Sequence, residues 1–484
     1  MAPATCTGNM AWRLLLLLPL GQCLTVDGPL VVVEAVDGWP PPPAPTKPPV
    51  ELPLRLTPFL EAGDAAEARR RAAVPAMLPS CCPSFSGFLT VDKQHDSNLF
   101  FWFFRSETRR KTAPLVVWLQ GGPGTSMMRP VFLENGPYQI DPRTMQLRRR
   151  RSAWTRAHSV LYFDNPVGTG YSFTRGDDGL ARNVRQVARS LVEALRQFFV
   201  MFPGQRGRDL YIAGESYGGK MATALAHEIL HSNSTAFNLQ GLIIINALVE
   251  AESQIDKSEV AYQLGIVDEA ERDEMRAVAA RQIKLIQLGH WDEARKLSKD
   301  ECGGPISPAD TGLDAVTNYL LWNGTQDNGY KDLAQHRHIR MALHVGNATF
   351  SGRATAVARA LIDDVGASQL PQLAEVADNL RVLVVSGQLD LCLPYRLTAN
   401  FLRKMAWSGA SEMAQSRRVT WCVQGQLAGY ARTVRGLTHV LVRNAGHYLG
   451  QDQPRWSADM LKKFTDQETF DTCEERCAKS GQRP

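Results

Sequence analysis

The stretch Asp209-Leu-Tyr-Ile-Ala-Gly-Glu-Ser-Tyr-Gly-Gly-Lys220 contains the signal on which the fold prediction depends. Its apolar start, Leu210 to Ala213, predicts a short buried strand, and the residues after Lys220 have helical spacing. Between them Gly214 to Gly218 matches G-x-S-x-G, whose glycines allow a sharp strand-to-helix turn with Ser216 exposed at its tip. Because glycine and serine meet by chance in many loops, this pentapeptide needs support from the rest of the chain.

Strand and helix alternate on both sides of this turn. Asn183 to Phe199 has the apolar spacing of a helix. The runs that predict further buried strands are Pro114–Leu119, Val160–Phe163, Gly241–Ile245, Leu380–Ser386 and Thr438–Arg443. This alternation predicts the α/β class, with a mostly parallel central sheet and helices on both faces. Residues 251–342 break the rhythm with charged helical sequence, and we interpret them as a helical cap inserted over the strand ends.

Composition limits the classes of partner. The chain has 484 residues, 44% hydrophobic and 21% charged, with a net charge of +5. That length suffices for one large α/β domain with insertions, or for two or three ordinary domains. Two arginine runs, at 69–71 and 148–151, lack interleaved aromatic residues and a nucleic-acid motif, so they predict solvated surface and no nucleic-acid partner. A cleavage site for a basic-specific protease at 148–151 is the alternative.

The N-terminus predicts entry into the secretory pathway. Arg13 is followed by the apolar run Leu14 to Leu20, which is too short to span a bilayer and is typical of a cleaved signal. An uncleaved signal anchor is the competing interpretation, and no later stretch is apolar enough for a membrane span. Three sequons agree with this route and predict glycosylation. They begin at Asn233, Asn323 and Asn347.

These features divide the chain into six segments. The predicted segments are a signal peptide (1–23), a Pro-rich spacer with a lead-in, propeptide-like part (24–80), a first part of the core (81–250), the cap (251–342), a second part of the core (343–466) and a polar tail (467–484). The folded domain is expected to begin near residues 82–87. None of the nine cysteines has metal-ligand spacing, so we expect neither metal nor cofactor. Disulfide connectivity stays open, with Cys473–Cys477 as one alternative.

Two residues near the ends of later strands complete a candidate catalytic triad. A serine hydroxyl is a poor nucleophile unless a base removes its proton and an acid holds that base in one tautomer. The α/β-hydrolase fold places these groups in the order Ser, Asp or Glu, His, each after a core strand. Asp390 follows the strand that ends at Ser386, and His447 follows the one that ends at Arg443. We therefore predict the triad Ser216, Asp390 and His447.

A tetrahedral oxyanion needs two N–H donors. One is expected from Tyr217, directly after the nucleophile. The other is expected from the glycine-rich loop that follows Pro114–Leu119, at Gly121-Gly122, and we assign it to Gly122. Glycines there let the backbone approach a substrate closely.

The motifs as a set resemble the serine carboxypeptidase family, from about Gly87 to Phe464, and most closely its vitellogenic carboxypeptidase-like branch. The motifs that carry the resemblance are Ser97–Phe104, Trp118–Gly124, Glu134–Pro137, Phe163–Ser172, Gly214–Gly218, His344–Asn347, Gly387–Asp390 and Gly446-His447. The resemblance implies a serine-type peptidase that releases C-terminal residues through an acyl-enzyme. Its partners would be peptides with a free C-terminal carboxylate, and a homodimer is left open.

The resemblance also implies which groups hold the substrate's terminal carboxylate. In this chain they would be Gln120, Gly121, Glu134 and Glu215. Two acidic groups would repel an anionic substrate unless they carry a proton, and like charges at short range raise one carboxyl pKa. Peptidase action is therefore expected to favour acid pH, which suits a lysosomal or endosomal enzyme; secretion from the cell is the other expected destination.

Two departures from the family pattern leave other functions open. Met127 replaces the second serine usually found after Gly-Pro-Gly, and Asn246-Ala-Leu248 replaces a Gly-Asn-Gly or Gly-Asp-Gly. Both changes adjoin the expected substrate pocket. A catalytically weakened binding or protective protein is therefore one alternative, and an acyltransferase or esterase on the same scaffold is another.

Overall fold

The computed structural model describes residues 51–77, 83–108, 111–141, 143–232, 237–300, 302–307, 311–313, 315–321 and 329–473. The predicted signal peptide, the Pro-rich spacer and the sequons at Asn233 and Asn323 lie outside the described residues. Among the described helices, none combines the length and apolar character that crossing a membrane requires.

The described strands form an eleven-stranded sheet and a separate two-stranded one. In chain order they are β1 (Ala73–Val74), β2 (Ser84–Asp92), β3 (Ser97–Phe104), β4 (Leu115–Leu119), β5 (Tyr138–Ile140), β6 (Leu147–Arg149), β7 (Ser159–Phe163), β8 (Leu210–Glu215), β9 (Leu239–Ile245), β10 (Arg381–Gly387), β11 (Val419–Val423), β12 (Gln426–Val434) and β13 (Leu437–Val442). The large sheet has the order β1-β2-β3-β7-β4-β8-β9-β10-β13-β12-β11. Its centre, from β7 to β13, is parallel.

Helices cover both faces of this sheet. The described α-helices are α1 (Thr57–Glu61), α2 (Ala65–Arg71), α3 (Val184–Met201), α4 (Tyr217–His231), α5 (Ala251–Gln254), α6 (Ser258–Gln263), α7 (Glu269–Gln287), α8 (Trp291–Lys296), α9 (Tyr330–Gln335), α10 (Arg337–Ala342), α11 (Thr355–Ala360), α12 (Ile362–Val365), α13 (Leu370–Asn379), α14 (Tyr395–Lys404), α15 (Ala410–Gln415), α16 (Leu449–Asp452) and α17 (Pro454–Thr465). The apolar residues of α3 and α4 pack on one face, while α17 packs on the other. This arrangement confirms the α/β prediction. The strands could be predicted because strands buried on both faces appear in the sequence as continuous apolar runs.

The folded part begins earlier than predicted. Leu56 is fully buried, and its N–H donates to Phe88 O at 2.9 Å. Leu54 N–H donates to His344 O at 3.0 Å, and Ala68 and Ala72 join the core. The expected start near residues 82–87 is therefore wrong, since the lead-in segment packs against the sheet.

Two local expectations also differ from the structure. Arg150 is buried and donates to the backbone oxygens of Phe132, Gly136 and Tyr138, so the solvated-surface interpretation of its arginine run is wrong at this position. Cys473 pairs with Cys422 and not with Cys477. A second disulfide joins Cys302 of the predicted cap to Cys392. It ties the 251–342 segment to the loop after β10.

Candidate active site

Ser216 lies at the sharp turn between β8 and α4. Its backbone has φ +60° and ψ −127°, a conformation that costs free energy for a residue with a side chain. The neighbouring glycines make the turn possible. A Cβ at Gly214 would lie 2.1 Å from Gly218 O, and one at Gly218 would lie 2.1 Å from Leu119 O. The turn projects Ser216 from the carboxyl edge of the parallel sheet, as the motif predicts.

Asp390 and His447 meet at the same edge. His447 Nδ1 lies 2.9 Å from Asp390 Oδ2, and both side chains are almost completely buried. Asp390 Oδ1 also accepts the N–H groups of Cys392 and Leu393, at 2.7 and 3.1 Å. An acceptor at Nδ1 keeps the proton of a neutral imidazole there, which leaves Nε2 with the lone pair that a general base needs.

The hydrogen bond between Ser216 and His447 is not formed in this structure. Ser216 Oγ has no hydrogen bond to any described residue, and Cys392 Sγ lies 3.8 Å from His447 Nε2. The backbones nevertheless run close together, because Ser216 N–H donates to Ile245 O and Asn246 Nδ2 donates to His447 O. Catalytic hydrogen bonds are often long before substrate binds, so Ser216, Asp390 and His447 remain the predicted triad.

Asn246 holds the strand ends together in a way that sequence reasoning missed. Its Nδ2 donates to the carbonyls of Gly446 and His447 at 3.0 and 2.8 Å, and its Oδ1 accepts Gly387 N–H at 2.7 Å. The side chain is fully buried. Asn246 therefore fixes the backbone of His447 relative to β9 and β10. The available sequence signal was that Asn246 lies in one of the two stretches that depart from the family pattern.

The two predicted oxyanion donors lie beside Ser216. A Cβ on Gly121 would lie 2.6 Å from Glu215 O, 2.7 Å from Ser216 Cβ and 2.8 Å from Tyr217 N, so only glycine lets the loop pass this closely. Gly122 has φ +115° and, with Tyr217, borders the same cavity as Ser216. Tyr217 is the first residue of α4, where a backbone N–H has no partner within the helix.

Three of the four residues predicted to bind the carboxylate meet in one buried cluster. Gln120 Nε2 donates to Glu215 Oε2 at 2.9 Å, and Trp118 Nε1 orients Gln120 by donating to its Oε1. Glu134 Oε2 and Glu215 Oε1 are buried without a hydrogen-bond donor among the described residues. A proton on one carboxyl would allow it to donate to the other.

Burial raises the pKa of Glu215 well above its usual range, and the Glu134 carboxyl adds to this shift. Water stabilises an ionised carboxylate, and neither an apolar environment nor a second negative charge provides that stabilisation. Both influences favour a proton on Glu215.

Arg129 is a member of this cluster that sequence reasoning missed. It is only 5% exposed, and its Nη1 lies 2.5 Å from Glu134 Oε1. Its Nη2 donates to Gln451 Oε1 at 3.0 Å, and its guanidinium carbon lies 3.2 Å from the ring centre of Tyr448, the residue after His447. A permanent cation therefore pairs with Glu134. The lone arginine in an otherwise apolar run, Met127 to Leu133, was the only signal.

A cavity of 520 Å³ opens over Ser216. Gly122, Ser216 and Tyr217 border it, whereas Gln120, Glu134 and Glu215 do not. The disulfide between Cys302 and Cys392 also contributes to its wall. Ser216 thus lies between the buried cluster of Gln120, Glu134 and Glu215 and an open cavity.

Two groups of described residues bring potential metal ligands within 4.8 Å of one another. The first is Asp390, Cys392 and His447, but the sulfur of Cys392 is already bonded to Cys302. The second is His227, His231 and Glu375 on the surface, where both imidazoles contact the Glu375 carboxylate. These contacts with the Glu375 carboxylate account for the second group, and we assign no metal to either.

Comparison with known proteins gives the same family over most of the chain. Residues 78–467 match the family described as serine carboxypeptidase. A venom serine carboxypeptidase of Apis mellifera is 41% identical, over 87% of this chain and 92% of the relative. Vitellogenic carboxypeptidase of Aedes aegypti is 37% identical, over 85% and 90%. The probable serine carboxypeptidase CPVL of Homo sapiens is also 37% identical, over 85% and 89%.

A solved structure shares the fold. Kex1(delta)p, a prohormone-processing carboxypeptidase from Saccharomyces cerevisiae, superimposes with a TM-score of 0.71 and 20% identity, over 82% of this chain and 96% of that one. The matched family region contains the strand-to-helix turn at Ser216 and the loops of Asp390 and His447. The predicted enzyme class, a serine-type carboxypeptidase, is confirmed by these relatives. The chain therefore belongs to the serine carboxypeptidase family.

Proposed function

We propose that this protein removes single residues from the C-termini of peptides, with Ser216 as nucleophile, His447 as general base and Asp390 as the acid that orients it. The observation that supports these roles most directly is the buried contact of 2.9 Å between Asp390 and His447, at the sheet edge from which Ser216 projects. A buried imidazole oriented in this way is suited to accept a serine proton.

The reaction would proceed in two steps. Ser216 Oγ attacks the carbonyl carbon of the last peptide bond while its proton passes to His447 Nε2. The N–H groups of Gly122 and Tyr217 stabilise the oxyanion. When the C–N bond breaks, His447 gives its proton to the leaving amine, and the C-terminal residue departs. Water then attacks the Ser216 ester, with His447 as base, and releases the shortened peptide.

Recognition of a free C-terminus would fall to Gln120, Gly121, Glu134 and Glu215. Protonated Glu215 is a donor, whereas ionised Glu215 would repel the substrate carboxylate. The raised pKa of Glu215 therefore supports a preference for pH values below it. Activity should decline as pH rises through that pKa, since the proton that the carboxylate requires is lost.

Three substrates test this function. We expect the protein to hydrolyse an N-blocked dipeptide with a free carboxylate, with a higher kcat/KM than for its C-terminal amide or ester. A Ser216→Ala variant should show no hydrolysis, and an organophosphonate should label Ser216 in the folded wild type. Preference for the ester would favour the esterase or acyltransferase alternative. A folded protein that neither turns over nor labels would favour the binding or protective alternative.

The cellular setting is part of the same proposal. Asn347 is exposed, which supports its use as a glycosylation site, and Asn233 and Asn323 remain predictions from sequence. We infer passage through the secretory pathway to lysosomes, endosomes or the cell exterior. Removal of N-glycans from protein expressed in animal cells should increase its electrophoretic mobility. Sedimentation of the same protein tests the proposed homodimer.

A further inference from the structure

The cavity over Ser216 has charged residues of one sign. Its charged members in the described chain are Arg295, Arg353 and Arg359, and no described acidic residue borders it. All three arginines are exposed. The side chains of Arg295 and Arg359 form no ion pair or hydrogen bond with a described residue. A cavity bordered by one sign of charge concentrates ligands of the opposite sign.

Part of the wall of the same cavity is apolar. Leu393 is buried, and Leu248, Ile362 and Val365 are partly buried. Leu248 lies directly beside the nucleophile, because its N–H donates to Ser216 O at 3.1 Å. A substrate side chain next to the reacting carbonyl would thus meet apolar surface, and groups further along the peptide would meet the exposed arginines.

The direction in which a substrate peptide would bind follows from the groups that lie on the two sides of Ser216. Glu134 and Glu215 lie on one side, outside the cavity, and take the C-terminal carboxylate in the proposed function. The cavity must then take the part of the peptide that precedes the bond to be cleaved. Arg295 and Arg359 extend from separate helices, α8 and α11, so they can contact different positions of an extended peptide.

We propose that this cavity selects peptides with an apolar residue just before the cleaved bond and an acidic residue upstream of it. The inference rests on the proposed carboxypeptidase function and specifies its substrate class. Arg295 and Arg359 are the specificity-determining residues. An arginine keeps its charge at every relevant pH, and a substrate Glu with an ordinary pKa near 4.3 is ionised above about pH 5, so the attraction persists where the enzyme is expected to act.

Three N-acetylated tripeptides, Glu-Phe-Leu, Gln-Phe-Leu and Lys-Phe-Leu, test this selectivity. We expect kcat/KM to be about fivefold higher for the Glu peptide than for the Gln peptide, as a partly exposed ion pair allows, and lowest for the Lys peptide. The preference should shrink in 1 M NaCl because salt screens exposed charges. Equal rates for the three peptides, or a preference for Lys, would overturn the proposal.

Variants assign the effect to the cavity. Arg295→Gln and Arg359→Gln should each reduce the Glu-to-Gln ratio of kcat/KM toward one. Arg189→Gln removes the same charge from an exposed position of α3 and should leave the ratio unchanged. An equal effect of Arg189→Gln would show that net charge, not the cavity, is responsible.

A binding measurement separates this proposal from the proposed function. Calorimetric titration of the Ser216→Ala variant with the same peptides reports selectivity without turnover. If wild-type protein cleaves none of the peptides but the variant still binds the Glu peptide about fivefold more tightly than the Gln peptide, the carboxypeptidase function fails and the selectivity stands. If the variant binds the three peptides equally or binds none, the selectivity is wrong.

Discussion

At the scale of single residues, the predicted chemistry depends on the proton of Glu215. Gln120 donates to one of its oxygens, and its other oxygen has no donor among the described residues. The raised pKa means that the folded protein keeps this proton above the usual carboxyl range. The contribution of Glu215 to stability is therefore greatest at acid pH and falls as pH rises from the usual pKa through the raised one.

Replacing Glu215 by Gln should remove this pH dependence. The amide can donate to Glu134 at every pH and still accept from Gln120, so it imitates the protonated acid. We expect KM for a blocked dipeptide to rise with pH in the wild type and to stay nearly constant between about pH 4.5 and pH 7.5 in Glu215→Gln. Steady-state kinetics at several pH values measure this. Glu412→Gln, on an exposed side chain, is the control. The same rise in KM in Glu215→Gln would contradict the assignment.

A second residue-scale prediction concerns the buried ion pair of Arg129. Arg129→Met leaves Glu134 buried without its cation, which costs about 3–5 kcal/mol of stability. The loss should be largest at about pH 7.5 and smaller at about pH 5, because an unpaired buried carboxyl has a raised pKa and takes up a proton in acid. Urea unfolding at both pH values measures it. The double variant Arg129→Met with Glu134→Gln should recover part of the stability at the higher pH; no recovery would show that packing, not charge, is the cause.

At the scale of elements, the predicted triad depends on how the ends of β9, β10 and β13 are joined. Asn246 connects all three through Gly387 N–H and the carbonyls of Gly446 and His447. This is a positioning role, since none of its atoms has to touch the substrate. It also gives a physical reason for an asparagine where β9 leaves the sheet.

Asn246→Asp should uncouple these strand ends. A carboxylate can still accept from Gly387 but would face the two carbonyls without a donor. We expect kcat at pH 7 to fall by about tenfold to a hundredfold, as small displacements of catalytic groups do, with KM changed little. The defect should shrink in acid, because the protonated carboxyl of the variant can again donate to one of the two carbonyls. Kinetics between pH 5 and pH 7 distinguish this from a general loss of folded protein, and an unchanged kcat at pH 7 would refute the role.

Local patterns predicted the parts of the site that depend on neighbouring residues. Ser216 follows from glycines two positions away, and Asp390 and His447 follow from strands that end just before them. The burial of Arg129 and Arg150 could not be predicted, because most of their partners are distant in the chain and become neighbours only after folding. Gln451 is far from Arg129 in the chain, and the carbonyls that Arg150 binds belong to Phe132, Gly136 and Tyr138, which precede it by 12 to 18 residues. The burial of a paired charge produces no periodic pattern in the sequence.

At the scale of the whole molecule, the disulfides connect separate segments to the sheet. Cys422 and Cys473 join β11 to the C-terminal residues. Cys302 and Cys392 join the predicted cap to the loop that bears Asp390, and this second bond borders the cavity over Ser216. Val316 O and Thr317 O also accept N–H groups from Leu391 and His447. The predicted cap segment therefore contacts the loops of both Asp390 and His447, so its attachment should affect catalysis as well as stability.

Removing each disulfide separately tests this coupling. A bond that closes 90 residues, as Cys302–Cys392 does, is expected to contribute about 2–5 kcal/mol, and the 51-residue Cys422–Cys473 link should contribute a similar amount. We expect Cys302→Ser with Cys392→Ser to lower both the free energy of unfolding and kcat/KM. The matched double variant, Cys422→Ser with Cys473→Ser, should lower the free energy of unfolding but not kcat/KM. Denaturant unfolding and peptide hydrolysis, both at a temperature where each variant is folded, measure the two effects. If the two double variants lost equal kcat/KM, loss of stability alone would explain both losses. The contacts of the predicted cap would then have no specific effect on the predicted triad.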